Sequence, residues 1–457
     1  MSDESQTEEH RYELDHATVR AIIEAAEAGD SARLTALMEP LHAADIADLL
    51  EQVDRDERVL ILKLFGEGMD GEILSEIDKS IREEVIAALS KQVLGDAMRE
   101  LDSDDVVDII EDLNAAQQQV ILGELEASDR VAVEAALAYP EFSAGRLMQR
   151  EIVAAPQHWT VGQAVDFLRA REDLPTDFYH LVLVDPAYHP VGYVTLGKIL
   201  GNKRDVALKS IIEDSFRTIE ATEDEGDVAY AFNQYHLISA PVVDETGRLV
   251  GVITIDDAMI VLDEEHEEDI LRLAGVSDDS SLADKVIATT KRRFPWLAVN
   301  LVTAILASMV ISLFEDAIST IVALAVLMPI VASMGGNAGT QSLTVAVRSI
   351  ATKDLTGSNV WRVIRREALV GLVNGLIFAV VMGVIGLIWF GSVALGVIIA
   401  AAMVINLVVA GLAGTVIPVV LDRLKIDPAL ASGAFVTTVT DVVGFFAFLG
   451  LAAIVLL

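Results

Sequence analysis

The sequence has 457 residues, enough for about three domains, and a formal charge of −37; residues 295–457 hold seven acids and seven bases, so the whole excess lies in residues 1–294. Such acidity excludes nucleic acid as a partner and docking of the first part onto anionic lipid, and the absence of cysteine excludes thiolate chemistry, disulfides and Cys-based zinc or iron–sulfur sites. What remains is a soluble acidic body attached to a neutral, apolar one, and the acidity fits either a cation-attracting surface or salt adaptation, toward which ten lysines against 23 arginines lean.

Residues 1–16 read as a disordered acidic tail. The start, MSDESQTEEH, is not a signal peptide, which keeps the soluble part in the cytoplasm. From 17 to 140 apolar residues recur at threes and fours with few glycines, the pattern of an all-α domain. LHAADIADLLEQV (41–53) returns as LDSDDVVDIIEDL (101–113), pairing Asp45 with Asp105 and Asp48 with Asp108. The segment is therefore a helical-repeat N-terminal domain, a short solenoid of helix pairs. Asp102, Asp104, Asp105, Asp108, Glu111 and Asp112 form a dense helical patch. It is either a solvated face or a cation-binding one, because like charges this close repel unless screened.

A second repeat occupies 141–262. LVLVDPAYHPVGYVT (181–195) recurs as APVVDETGRLVGVIT (240–254), each copy a strand, a turn and a strand preceded by a helix. This α/β pattern resembles a tandem CBS pair. The second copy keeps Thr254 and Asp257 in a G-x-x-T-x-x-D arrangement that, in nucleotide-binding CBS modules, meets ribose and phosphate. The resemblance thus implies ATP as a ligand there. In the first copy Thr195 is kept but Lys198 stands in place of the Asp.

Residues 263–294 form an acidic connecting helix. Asp263, Glu264, Glu267, Glu268 and Asp269 crowd adjacent turns, a density suited to a hard cation such as Mg²⁺, which takes oxygen ligands and keeps much of its water. An ordinary solvated connector is the other reading, and His266 is a bystander in both.

Five apolar runs follow, at 295–314, 317–343, 367–390, 393–420 and 429–457, a polytopic α-helical membrane domain with five transmembrane helices. Bases precede the first run and fill the second and fourth loops; the turns at Glu315-Asp316 and Gly391-Ser392 have none. The positive-inside rule then places the N-terminal domains in the cytoplasm and the C-terminus on the extracellular side of the plasma membrane. The second run contains Pro329, Gly335, Gly336, Asn337, Gly339 and Gln341. Asn337 and Gln341 share a helix face, either as a hydrogen-bonding seam between helices or as the lining of a water path. The fourth run carries Asn406, Gly411, Gly414 and Pro418. In the fifth, Asp441 lies 13 residues beyond Pro428, about 20 Å along a helix. Thr437, Thr438 and Thr440 are close by, and no run offers it a basic partner. A lone intramembrane carboxylate points to function.

PIVASMGGNAGTQSL (329–343), NLVVAGLAGTVIPVVL (406–421) and DPALASGAFVTTVTDVVGFF (427–446), with the order of domains, resemble the MgtE family of magnesium channels. The resemblance implies a homodimer with an ion path between subunits. In it Asp441 holds a hydrated Mg²⁺ and Asn337, Gln341 and Asn406 lie in or near the lining, while the glycines let helices approach. It further implies Mg²⁺ sensing by the acids of 263–269, by Asp104, Asp105 and Asp108, and by Asp256 and Asp257. Bound ions would draw these surfaces together and close the pore through the connecting "plug" helix. Three alternatives stay open: a cation-coupled secondary transporter, a channel for another divalent cation such as Co²⁺ or Mn²⁺, and a membrane-bound Mg²⁺ sensor without flux. No nucleophile–base pair points to an enzyme.

Overall fold

The computed structural model describes residues 14–457 except 112, 172, 173, 176, 177, 277–285, 431 and 432. Most of the acidic tail, Asp112 of the acidic patch and the middle of the connecting segment thus lie outside the described residues. The chain divides into two compact units, 1–264 and 265–457.

The first unit begins with short helices running from His16–Glu27 to Ala127–Ala136. Their starts are written in the sequence. Asp15, Asp30, Asp54, Asp70, Asp78, Ser90 and Asn114 each accept backbone N–H groups as N-caps. The repeat at an offset of sixty is structural: α1 (Ala43–Gln52) buries Ile46, Ala47, Leu49 and Leu50, and α2 (Ser103–Glu111) buries Val106, Val107, Ile109 and Ile110. Two buried arginines stitch the stack. Arg58 Nε donates to the Leu50 carbonyl at 2.6 Å, satisfying the end of α1, and Arg82 Nη1 reaches the Asp108 carboxylate at 2.9 Å.

The CBS copies follow. β1 (Ala154–Pro156), α3 (Val161–Ala170), β2 (His180–Val184) and β3 (Pro190–Thr195) make the first; β4 (Ile219–Glu220), α4 (Glu225–Tyr235), β5 (Ser239–Val243) and β6 (Leu249–Thr254) make the second. Each sheet pairs its first two strands in parallel and its last two antiparallel, with a bulge at the equivalent place, Leu183/Val184 and Val242/Val243. His180 and Ser239, equivalent residues 59 apart, are buried and hydrogen-bond to each other, joining the two sheets. β6 runs straight into α5 (Ile255–Leu273), which carries the linker acids.

Among the described residues, the second unit contains five helices long and apolar enough to cross a bilayer: α6 (Val286–Ser312), α7 (Ala323–Ala351), α8 (Val360–Phe390), α9 (Val393–Arg423) and α10 (Gly433–Leu456). The chain is a multi-pass membrane protein. Its helices overrun the apolar counts at several ends, since the basic segments before Pro295 and Glu367 continue the helix into the interface. Before the last run, Pro428–Leu430 is a 3₁₀ turn, and the described part of α10 runs from Gly433, eight residues before Asp441.

α9 is the central helix, packed against α7, α8 and α10. Small residues set the spacing. A Cβ on Gly371 of α8 would stand 2.5 Å from the Leu407 carbonyl oxygen, and one on Gly411 of α9 would stand 2.7 Å from that of Glu367. Backbones this close exclude any side chain.

Candidate functional site

α7 has two unlike faces. Gly335, Gly336 and Gly339 are buried, against Asn406, Thr437 and Val436 respectively. Asn337, Thr340, Gln341 and Thr344 are all exposed, with Ser333 one turn earlier, at spacings of three and four that line one stripe. Primary amides facing lipid are costly, so this stripe requires water or another protein surface. Pro329 and Pro418 lie within α7 and α9, where each removes one intrahelical hydrogen bond. A Cβ on Gly414 would collide with the Gly339 carbonyl.

α10 crosses α7 in antiparallel register: Thr340 lies by Gly433, and Gly336 by Thr437. Continued one turn, this brings Asp441 level with the region of Ser333. Asp441 is half-buried, and among the described residues no donor or cation pairs with it. The nearby hydroxyls serve their own helix. Thr437 and Thr438 donate to the Ala434 carbonyl at 3.1 and 2.6 Å, and buried Thr440 to that of Thr437 at 2.9 Å. Their oxygens keep lone pairs free to accept from water. Asn406 is fully buried, donating from Nδ2 to the Val331 carbonyl at 2.7 Å with Oδ1 unpaired among the described residues. It props α7 against α9 and does not face the exposed stripe.

In the first unit the start of the acidic patch on α2 is largely buried. Asp104 is 7% exposed, and Asp104 and Asp105 face Asp256 and Asp257 at the start of α5. Burial, then the Asp257 charge, hold Asp104 well above the usual carboxylate range and push Asp105 up to about 7. Burial likewise raises Asp257 to about 6, although Thr254 Oγ1 donates to it at 2.6 Å. Ser103 pins this face by donating to Glu151 Oε2 at 2.8 Å while accepting from the Arg150 N–H at 2.9 Å.

A second cluster lies beside it. Glu225, in the first turn of α4, is raised to about 7 by burial and then by Glu264 and Glu111. Lys79 sits among these acids, 3.0 Å from Glu264 and 3.9 Å from Asp108, and Arg146 pairs with Glu111 at 2.9 Å. Among the described residues, no group of three or more His, Asp or Glu side chains is arranged to enclose a metal ion.

The remaining linker acids separate by role. Asp263 and Glu267 are exposed, whereas Glu268 pairs with Arg272 at 2.8 Å. Arg272 also reaches Asp427 at 2.5 Å, and Leu273 packs on the cluster of Leu343, Val347, Ala429 and Val436. Asp269 is raised above its usual range by burial and then by Asp427.

Comparison with known proteins places this geometry. Residues 41–142 match the model of the MgtE intracellular N domain, 144–205 and 208–264 the CBS domain, and 328–451 the MgtE divalent cation transporter. The magnesium transporter MgtE of Thermus thermophilus is 30% identical over 439 residues, 95% of this chain and 97% of the relative. That of Bacillus subtilis is 32% identical over 331 residues, 72% of this chain and 73% of the relative. The chain belongs to the MgtE family. Among solved structures it is similar to the cytosolic domain of the Mg²⁺ channel MgtE in complex with ATP, at 28% identity and a TM-score of 0.49, covering 53% of this chain and 99% of that one. MgtE proteins are transporters and channels rather than enzymes.

Within this MgtE chain the fold brings Asp104 and Asp105 together with Asp256 and Asp257, four candidates that lie about 150 residues apart in sequence. Asp108 is drawn away, to Arg82 and Lys79. Glu225 escaped the sequence reading, yet a signal existed. Its counterpart after the helix cap in the first CBS copy is Val161, so the second copy has exchanged an apolar residue for an acid. Beside Thr254, a cavity lined by His180, Tyr193 and Ser239 holds about 20 Å³, room for about one water.

Proposed function

We propose that the chain is a Mg²⁺ channel of the plasma membrane that works as a homodimer and is closed by cytosolic Mg²⁺. The observation that carries this reading is the exposed stripe of Asn337, Thr340, Gln341 and Thr344 on α7, running beside a half-buried Asp441 that has no partner among the described residues. A second copy placed across this face would give the amides water instead of lipid. It would also set two carboxylates around one axis, which attract a divalent ion more strongly than a monovalent one. Mg²⁺ releases its water reluctantly, so contact through the water shell suits a site with so few ligands. Thr437, Thr438 and Thr440 would accept hydrogen bonds from that water, and Asn406 would hold α7 in place behind the lining.

The domain division at 17–140, 141–262, 263–294 and 295–457 gives each part a task. The basic loops favour a cytoplasmic side for the soluble unit and the start of α10, with the C-terminus outside. The acids at 104, 105, 256 and 257, with Glu225 and Glu264, sense Mg²⁺. Ionised, they oppose one another. A hydrated ion between them favours the docked arrangement and shifts the population toward the closed channel. The acids of 263–269, Asp263 and Glu267 among them, and Asp108 complete this sensing surface along the connecting helix. In molar salt the screening length falls to about 3 Å, so a salt-adapted chain needs more Mg²⁺ to close. A closing midpoint identical in low and molar KCl removes the salt-adaptation reading.

The deciding experiment is Mg²⁺ uptake into proteoliposomes, wild type beside Asp441→Ala, with cytoplasmic-side Mg²⁺ varied. Flux that is lost in the variant and inhibited by cytoplasmic Mg²⁺ supports pore and sensor together. Flux tied to a Na⁺ or H⁺ gradient makes it a coupled transporter, equal Co²⁺ or Mn²⁺ flux widens the selectivity, and no flux from folded protein leaves only a sensor. ATP is a separate reading, supported by the Thr254–Asp257 pair beside the cavity. The cavity holds about one water, so binding requires the His180–Ser239 contact between the sheets to part. Titration of the full chain with ATP, giving no heat, would dismiss it.

A further inference from the structure

The N-terminal end of α8 carries a feature that ion conduction does not use. Arg362, Arg365, Arg366, Leu369 and Val373 fall at spacings of three and four on one helix face, lining an open groove of about 700 Å³ together with Trp361. The stripe is basic at one end and aliphatic at the other. Leu369 and Val373 are 60% and 55% exposed, and none of the described residues covers them.

Length fixes the depth of this stripe. From Leu369 to Phe390 is about 33 Å of helix, the thickness of a hydrocarbon core. Trp389 and Phe390 mark the far interface with their rings 6.4 Å apart. The three arginines lie one to two turns beyond Leu369, about 5–10 Å outside the core, where lipid phosphates sit.

The charge there is uncompensated. Arg365 stacks over Trp361 at 5.0 Å, which fixes its guanidinium plane. Among the described residues, no carboxylate pairs with Arg362, Arg365 or Arg366. Glu367, beside them in sequence, turns instead to α7, accepting from Ser342 Oγ at 3.0 Å. Of the other acids of the membrane unit, Asp354 in the preceding loop accepts from Thr352 Oγ1 at 2.9 Å, Asp427 is engaged by Arg272, and Glu315 and Asp316 precede α7, at the opposite membrane face; Asp422, at the end of α9, forms no ion pair with the three arginines among the described residues.

We propose that this stripe binds one anionic phospholipid, its phosphate on the guanidinium groups of Arg362, Arg365 and Arg366 and an acyl chain along Leu369 and Val373. Arginine suits the headgroup because its planar fork matches phosphate oxygens two at a time. The aliphatic continuation separates this occupant from a free phosphate, which would need only the basic end. The inference does not depend on which ion the channel carries.

Native mass spectrometry of the full-length protein in detergent, offered phosphatidylglycerol and phosphatidylcholine of identical chains, tests it. Wild type should retain the anionic lipid at least tenfold over the neutral one. The R362Q/R365Q/R366Q variant should lose that preference, while the corresponding triple lysine variant keeps part of it. A single R366Q, with a smaller loss of a few-fold, serves if the triple variant does not fold. Equal retention of both lipids by wild type, or unchanged retention by the glutamine variants, overturns the proposal. Full displacement of the lipid by millimolar inorganic phosphate overturns it too.

Discussion

Replacing Asp105 with Asn should tighten the contact between α2 and the start of α5. Asp105 is raised from 3.8 to about 7, about three pH units, and at about 1.4 kcal/mol per unit this is about 4 kcal/mol of opposition when the group is ionised. Partial solvent access and salt trim that figure, and about 2 kcal/mol, or about 30-fold in an opening equilibrium, is the working expectation. The sign follows from proton binding. Between about pH 4 and 7 the docked form holds a proton that the opened form releases. Docking is thus strongest below pH 4 and weakens as pH rises through about 7. Asp257, at about 6, and Glu225, at about 7, act in the same sense. Hydrogen exchange on the full chain at pH 8 without Mg²⁺ reads the effect as amide protection in 103–111 and 255–264. Asp105→Asn should raise protection about 30-fold over wild type, and Mg²⁺ should raise it in wild type but little in the variant. Protection equal to or below wild type without Mg²⁺ would refute the reasoning, since the carboxylate would then be stabilising the contact instead of opposing it.

Arg272→Gln should free the end of α5 from Asp427. A double-mutant cycle with Asp427→Asn should give a coupling near 1 kcal/mol, modest because both side chains remain partly exposed. Its functional mark is residual flux at Mg²⁺ levels that close wild type, measured in proteoliposomes. Gly371→Val should lower thermal stability in detergent, because the added atoms meet the Leu407 carbonyl and overpacking costs about 1–3 kcal/mol; an unchanged melting temperature would mean that α8 and α9 can part freely. Asn406→Ala should likewise destabilise the membrane unit, by about 1–3 kcal/mol, through loss of the bond to the Val331 carbonyl. Asn406→Asp, which cannot donate when ionised, should do no better in the same melt.

Much of the architecture was legible in the sequence because it repeats. The matched strings at 41–53 and 101–113 became helices with equivalent buried residues, and the two CBS copies reproduced even their bulges. The apolar runs gave five membrane helices for an equally local reason, the cost of leaving backbone unpaired in lipid. What lay beyond reach depended on distant partners. The acids of α2 also read as a solvated face, because the burial of Asp104 and Asp105 arises only when α5, about 150 residues later, docks on them. Arg272 and Asp427 are likewise distant, and neither announces a partner. The 3₁₀ turn at Pro428–Leu430 is a local detail that a proline count cannot tell from the first turn of a helix. Asn406 was assigned to the lining or its neighbourhood by the resemblance, and its burial with a bond to the Val331 carbonyl fits a strut beside that lining.

The exchange of Asp for Lys between the two CBS copies has an orientational consequence. In the first copy Lys198 lies 3.0 Å from Glu213, closing that helix start into a neutral pair; in the second, Asp257 is left facing the acids of α2. A tandem of identical copies would offer the helical domain two indistinguishable seats, related by the twofold of the duplication, and the chain could settle on either. Neutralising one seat makes the pair a keyed surface. Under the proposed sensing role, only one of the two would be a place where a gain in cation concentration changes the fit.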